Sequence, residues 1–504
     1  MKMRTVYHKG LAAALCLGLW MNLPGALAAS RIGLHMNPPQ TQTVQVTLPW
    51  IIDRVLNDNL TVLIAKNRIK IGEGGLIQST APLFPNIKAF YSVERFNGGE
   101  VISGGQPINL DRTTYRPTIA ADYTIQTGGK PLFQIYAAKQ QYNRNRLALD
   151  MSRQKALLDA CTSYFTWLKD IEREKVAKVS LSEAESQLHL RELRLNADVG
   201  TSLEVLQSQT LLRERQNLLL STQNDRSSSS LTLLNHLNLP LDLSADAEPA
   251  TSLIPMRFWL KDQPGQDINE LYKLAEDSRP DVKALLSQIR EAKAQLGSAW
   301  ADLFPSVTLS GYNRRIGQYP DSLRRTHEGM FVISTNLLQN MGINSIGSIR
   351  TAQAKVRDAA LNKAKQLQDI QKSISDALLD YKLYKDQLAL NQQRCHEAEE
   401  AYRIAKARFE AGVALNLEVI QAEANLTSTR LNLYTAVMNY NISQLQLLYE
   451  TGQMQPEALL TAQVISLPAL AIGEPGDPAA TSPTASNPAQ KPEDPLAPVS
   501  LGSP

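Results

Sequence analysis

Leu83–Phe84–Pro85 leads into Asn86–Ile87–Lys88–Ala89–Phe90–Tyr91–Ser92–Val93–Glu94, and the same tripeptide returns 220 residues later as Leu303–Phe304–Pro305. A second echo lies further along. Ser202–Leu203–Glu204–Val205–Leu206–Gln207 comes back 214 residues on as Asn416–Leu417–Glu418–Val419–Ile420–Gln421. Two nearly equal offsets make the chain two copies of one unit of roughly 210 residues.

Each copy carries the same order of patterns. A helical stretch over about Thr47–Ile77 ends before Pro85, after which Ile87, Ala89, Tyr91 and Val93 alternate with polar residues across Phe90. A Gly/Asn-rich loop spans Asn97–Asp111. Tyr115, Pro117, Ile119, Ala121, Tyr123 and Ile125 then share one face, and Thr114, Arg116, Thr118, Asp122, Thr124 and Gln126 the other. Period-two patterning of about ten residues is the length of a tilted membrane strand. In the second copy Val307 and Leu309 alternate with serine and threonine, a polar loop with four arginines covers Asn313–Glu328, and Met330–Leu337 is the fourth strand.

Long helices without proline or interior glycine follow, over about Leu132–Asn196 and Ile349–Glu410. At ~1.5 Å per residue each is about 90–100 Å long, a rod rather than a domain element. Turns at Asp198–Ser202 and Ala411–Leu415 reverse the chain, with Gly200 and Gly412 expected as left-handed helix terminators and Thr201 or Ser202 as a cap. The return helices end near Leu239 and Thr451. Ile420, Ala424, Thr427, Leu431, Tyr434, Met438, Ile442 and Leu445 form a narrow stripe suited to coiled-coil packing.

Charge and motifs exclude several classes. Lys2, Arg4 and Lys9 precede an apolar run from Leu11 to Leu23 and the small-x-small site Ala26–Leu27–Ala28, a secretory signal cleaved after Ala28. Cys16 is not expected to be lipidated, because Leu15 stands where a small residue is needed. The chain has 52 Lys+Arg and 49 Asp+Glu, so losing the three signal bases leaves it neutral and no nucleic-acid partner is expected. Cys161 and Cys395 allow one bridge but no disulfide scaffold. The histidines are scattered, and His396–Glu397 lacks the second histidine of a zinc protease. Gly72–Glu73–Gly74–Gly75 reads as a helix cap or break rather than a phosphate loop. No catalytic residue, cofactor or metal site is expected. The layout is a signal peptide over 1–28, an N-terminal segment over 29–44, repeat 1 over 45–239, an insert over 240–279, repeat 2 over 280–452, and a disordered Pro/Ala/Ser-rich tail over 453–504.

After the signal no run approaches the ~18 apolar residues of a spanning helix, so any membrane passage uses a β-barrel. Four strands cannot close one, because an open edge is not tolerated in lipid and about eight is the minimum. Two chains would give eight strands and a filled interior; three would give twelve and room for a channel.

In combination these residues resemble the TolC family of outer-membrane efflux proteins over about residues 45–452. The resemblance rests on Arg279–Pro280–Asp281 before a helix, Leu303–Phe304–Pro305 before a strand, and Ala407–Arg408–Phe409–Glu410–Ala411–Gly412–Val413 followed by Leu417–Glu418–Val419–Ile420. It implies a mainly α fold with a β-barrel part, a homotrimeric channel-tunnel with a twelve-stranded barrel in outer-membrane lipid. A helical tunnel in the periplasm and an equatorial belt complete the implied fold. The implied partners are a periplasmic membrane-fusion adaptor and an inner-membrane pump or ABC transporter. The family's acidic ring falls on Glu418 and Gln421, of which only the first keeps the charge. Its latch acid falls on Glu204, but its latch arginine falls on Ala414, which leaves Arg408 as the substitute. Val199–Gly200–Thr201, with Gly412 and Val413, resembles the turns that dock the adaptor. A rival reading is a non-conducting periplasm-spanning coiled coil or adhesin, against which the alternating strands argue. Within the family, type I secretion and small-molecule efflux are both open.

Overall fold

The computed structural model describes residues 46–97, 100–103, 106–109, 112–241, 252–258, 268–335, 342–460 and 463–464. The expected signal peptide, the 29–44 segment and most of the tail lie outside these residues, as does a separate unit over Ile465–Pro504.

Helix α1 (Leu48–Asp58) and helix α2 (Leu60–Ser79) form the first helical segment, broken at Asn59. Asn59 takes an extended backbone, its Oδ1 accepts from the Thr61 and Val62 amides, and its Nδ2 donates to the His236 carbonyl. One side chain thus caps α2 and ties it to the end of the first hairpin. The Gly72–Gly75 cluster does not break α2, contrary to the sequence reading. A Cβ on Gly72 would meet the Asn145 amide at 2.5 Å, so the glycine serves close approach to the neighbouring long helix.

Strand β1 (Asn86–Phe96) pairs antiparallel with β4 (Arg112–Gln126); between them the backbone of β2 (Glu100–Ser103) pairs with β3 (Gln106–Asn109), so the expected loop holds a small hairpin. Helix α3 (Lys130–Asn196) and helix α4 (Ser202–His236) form the first helical hairpin. The short β5 (Met256–Arg257), α5 (Ile268–Ser278) and α6 (Pro280–Ala301) link it to the second copy. There β6 (Ser306–Ile316) and β7 (Arg324–Ser334) precede α7 (Ile343–Glu410) and α8 (Asn416–Glu450). The expected polar loop over 313–328 is mostly strand. Its arginines sit in register across β6 and β7, and only the residues between Ile316 and Arg324 turn. Helix α9 (Pro456–Leu460) and β8 (Gln463–Val464) close the described chain.

The boundary drawn at 453 for a disordered tail needs correction. Met454 and Leu459 are buried to 1%, and β8 pairs with β5. Apolar burial holds these residues against α1 and the belt, where a reading from Pro and Ala content saw only a tail.

The core sits where α3 passes this belt. Phe165 packs edge-on against Phe258 at 5.9 Å between centroids, beside the buried Tyr164 and Trp167. Each such fully buried side chain contributes about 1.5–3 kcal/mol. Arg279 links α6 to the end of α8. Its guanidinium donates to both Asp281 oxygens, to Glu450 Oε2 at 2.8 Å and to the Glu450 carbonyl at 2.8 Å. Gly452, with φ +74°, lies against Arg279 where a Cβ would meet its backbone nitrogen at 3.1 Å.

Of the expected stripe on α8, Thr427, Tyr434 and Leu445 are buried, but the buried face is centred to one side of it. Val419, Glu423, Leu426, Leu433, Val437, Tyr440, Gln444 and Leu447 are buried. Ala424 is exposed, and Ile420, Leu431, Met438 and Ile442 are partly so. The buried face carries Glu423, Asn441 and Gln444, which a search for apolar residues passes over.

Arg279→Ala leaves two carboxylates without their shared base, a loss of about 3 kcal/mol. The expected outcome is a lower denaturant midpoint for the detergent-solubilised protein. Arg279→Lys recovers only part, since lysine cannot make the planar paired contact to Asp281.

Candidate functional site

The four long strands form one sheet in the order β1-β4-β6-β7. Register makes residue parity a map of its two faces. Odd-numbered positions align across all four strands and include Ile87, Tyr91, Val93, Ile119, Tyr123, Ile125, Leu309, Phe331 and Ile333. Tyr91 is 58% exposed and Ile333 63%, so this apolar face is unburied within the chain. Even-numbered positions carry the sheet's paired charges and most of its hydroxyls, interspersed with Phe90, Phe96, Met330 and Val332. Lys88 faces Asp122 at 3.7 Å, Arg116 faces Glu94 at 3.4 Å, Arg314 pairs with Glu328, and Thr124 bonds Thr308 at 3.1 Å. An apolar outside and a polar inside are what a water-filled membrane barrel requires. Within the described residues β1 and β7 each pair on one side only. No described helix is long and apolar enough to cross a membrane.

At the far end of the rods the two turns use different residues for the same bend. In the first, Val199 and Gly200 amides both donate to the Arg194 carbonyl at 3.0 Å, and Asp198 takes the left-handed conformation at φ 58°. In the second, Gly412 takes it at φ +75°, and the Val413 amide donates to the Arg408 carbonyl at 3.0 Å. The counterpart of Gly412 is therefore Asp198, not Gly200. An aspartate tolerates this region better than most residues. Gly200 is needed for a different reason: a Cβ would lie 3.1 Å from the Leu195 nitrogen and 3.2 Å from Arg194. Thr201 caps α4 by accepting from the Glu204 amide, whereas Leu415 gives α8 no side-chain cap. Val199 and Val413 are 70% and 68% exposed.

Glu418 sits in the first turn of α8 and meets Arg408 at 3.5 Å across the turn. Gln421, one turn on, is exposed. The structure does not bring Arg408 to Glu204. Glu204 lies in the first turn of α4, and its charge acts instead on Arg191. Arg191 is buried and stacks on Phe409 at 3.9 Å, with Arg194 over the same ring at 5.0 Å. Burial, then the neighbouring Arg194, pull the Arg191 pKa below its usual value, against the pull of Glu204. This cation–π contact joins the two hairpins at the tip.

Further up the rod lies a buried polar node that the sequence reading missed. Glu423 is 1% exposed; Arg215 reaches its Oε2 at 2.5 Å, and Ser180 and Thr427 donate to its Oε1 at 2.7 and 3.0 Å. It joins α3, α4 and α8, and Arg430 of α8 reaches Glu399 of α7 at 3.1 Å close by. Burial and the Glu423 charge hold the Glu183 carboxyl above its ordinary range, opposed by Arg430, Lys406 and Arg215. The only sequence signal was a glutamate at a seam position of α8, at helical spacing from Thr427. Cys161 and Cys395 are both free and buried, and burial pushes the Cys161 thiol up to about 12.

A membrane sheet with one apolar and one polar face, carried on paired periplasm-length rods, defines a channel protein of the outer membrane. The family profile described as outer membrane efflux protein matches residues 51–239 and 271–453. The chain belongs to this family. It is similar to a probable efflux pump outer membrane protein, TtgC, of Pseudomonas putida, 24% identical over 431 residues with 81% of each chain covered. The pyoverdine export outer membrane protein OpmQ of Pseudomonas aeruginosa is 24% identical over 406 residues, covering 75% of this chain and 79% of its own. Among solved structures, VceC of Vibrio cholerae shares the fold with a TM-score of 0.69 at 19% identity, over 80% of this chain and 96% of that one. The CmeC channel of Campylobacter jejuni gives 0.70 at 16% identity, over 83% and 90%. The protein is thus an outer-membrane efflux channel with its helical part in the periplasm, and the non-conducting structural reading is set aside.

Glu423→Ala strands a buried arginine and costs about 3–5 kcal/mol, whereas replacing Arg215 and Glu423 together by Met and Leu costs far less. Thermal midpoints of the three proteins check this. Glu183 supplies a pH test. Its folded pKa is raised, so its contribution is intact below the ordinary glutamate range and is lost as pH rises through the folded value. Glu183→Gln is therefore expected to stabilise relative to the parent at neutral pH and not at acidic pH.

Proposed function

We propose that three copies of this chain close one twelve-stranded barrel and so form a conduit for small molecules handed over by an inner-membrane pump through a periplasmic adaptor. The observation that carries this reading is the four-stranded sheet with two half-paired edges and an unburied apolar face. Hydrocarbon offers no partner to an unpaired strand edge, so β1 of one chain has to meet β7 of the next. Twelve strands leave a lumen where eight would be filled by side chains. The relatives' names speak of an efflux pump and of pyoverdine export, which favours small molecules over a secreted polypeptide.

In this reading the two turns form the periplasmic mouth. Val199, Gly200 and Thr201, with Gly412 and Val413, present small or apolar exposed surface that a helical adaptor hairpin can approach closely. Glu418 contributes one carboxylate per chain to a ring that favours cations. Its contact with Arg408 tempers that field, and Gln421 adds none. Arg191 on Phe409 ties the two hairpins together, and Glu204 acts on Arg191 from within the first hairpin.

Single-channel recording in planar bilayers tests the conduit. Cation-selective conductance is expected; Glu418→Ala should move the reversal potential toward zero and Arg408→Ala away from it. A stable monomer that never conducts would refute the reading. Val199→Asp with Val413→Asp should abolish adaptor cross-linking and efflux while conductance persists. Normal efflux in that variant would show that the turns do no more than end helices.

A further inference from the structure

The outward face of the sheet holds few charges, and their placement is uneven. Among the odd-numbered strand positions there is no aspartate or glutamate. Within the four strands the acids are Glu94, Asp122 and Glu328, all even-numbered and each with an inward base within reach, while Asp321 lies in the turn between β6 and β7. Besides His327, the outward bases are Arg95, Arg315 and Arg325, and no salt bridge within the chain involves any of these arginines among the described residues. All three are exposed.

Their position is as specific as their face. Arg95 is the last outward-facing residue of β1, and Phe96 beyond it points inward. Arg315 is the last outward residue of β6, and Arg325 is its partner in register at the start of β7. So three of the four strands have arginine as their outermost outward residue at the hairpin end remote from the helices, directly above Val93 on β1 and above the polar pair Asn313 and His327 on β6 and β7. Arg315 and Arg325 stand directly opposite one another, an arrangement that places like charges about 5 Å apart at Cβ and is unfavourable without a counter-ion. The inward face shows that this sheet supplies carboxylates where it needs them. On the outward face it supplies none.

The helices lie on the periplasmic side, so the hairpin ends reach the outer leaflet. The apolar face below the arginines, with Val93 and Tyr115 at its upper limit on β1 and β4, meets hydrocarbon. Arginine at such a boundary extends its guanidinium into the headgroup layer. There, phosphate oxygens match its planar donors in pairs. We propose that Arg315 and Arg325, with Arg95 beside them on the barrel rim, form a site for the phosphate groups of outer-leaflet lipid, which bridge the two opposed guanidiniums. The site would hold the channel at a fixed depth and let phosphorylated glycolipid seal its outer rim. It takes from the shared-barrel reading only the face that meets lipid.

The test uses the full chain in phosphatidylcholine bilayers containing a minor fraction of diphosphoryl lipid A, with lipid retained by the protein measured by native mass spectrometry. Retention of the phosphorylated lipid over phosphatidylcholine is expected for the parent. Arg315→Gln with Arg325→Gln should weaken it by roughly thirtyfold, taking the usual contribution of each arginine near an anionic surface. Lysine at both positions should keep most of the preference for anionic lipid. Arg324→Gln, next in sequence but inward-facing, should change nothing. Equal retention in the parent and the glutamine variant overturns the proposal, as does displacement of the lipid by inorganic phosphate, which would mark a free-anion site. Conductance recorded in the same bilayers keeps loss of lipid distinct from loss of the barrel.

Discussion

An unpaired strand edge has no solvent in hydrocarbon, and the rest of this structure follows from that constraint. The sheet offers an apolar face with Tyr91 and Ile333 unburied and two strands, β1 and β7, each paired on one side. A soluble protein would cover both features with a helix. Here the helices leave the sheet at the end where β4, β6 and β7 begin or stop and run away from it, so the edges and the face stay free for other chains and for lipid. Duplication supplies the strands in pairs, and in the proposed trimer sharing between copies completes the count.

The rods inherit a second constraint. Two long helical hairpins must stay aligned over a length at which a narrow apolar seam leaves sliding inexpensive. The structure answers with discrete polar ties. Arg279 fixes α6 to the end of α8, Glu423 draws in Arg215, Ser180 and Thr427, and Arg191 stacks on Phe409 near the turns. A buried ion pair is a modest source of stability but a strong source of register, since any slip strands a charge. At the turns Glu418 and Arg408 remain half exposed.

Much of this was legible in the residues. The repeat, the strand pairs after Pro85 and Pro305, and the helix ends at Asn196 and Glu410 follow from periodicity and breakers that act locally. What escaped depends on partners distant in sequence. The extent of β6 and β7 was hidden because their distal halves are polar on both faces, so alternation fades while backbone pairing continues. The seam of α8 is only partly legible because its buried face includes Glu423 and Gln444, tolerated only beside Arg215 and the 252–258 segment. The left-handed residue of the first turn was assigned to Gly200, since composition cannot tell a glycine needed for its φ from one needed for close approach. Arg408 was singled out at the tip, yet its partner Glu418, only ten residues away, was paired with no one.

The shared barrel is tested most directly at its seams. Cysteine pairs placed along β1 and β7, in a background lacking Cys161 and Cys395, would be oxidised in outer membranes and the products separated by mass. Covalent species up to three chains, formed only when both strands carry a cysteine, are the expected result. Exclusively intrachain links, or no cross-link at any pair in protein that has reached the membrane, would contradict a barrel built jointly by several chains.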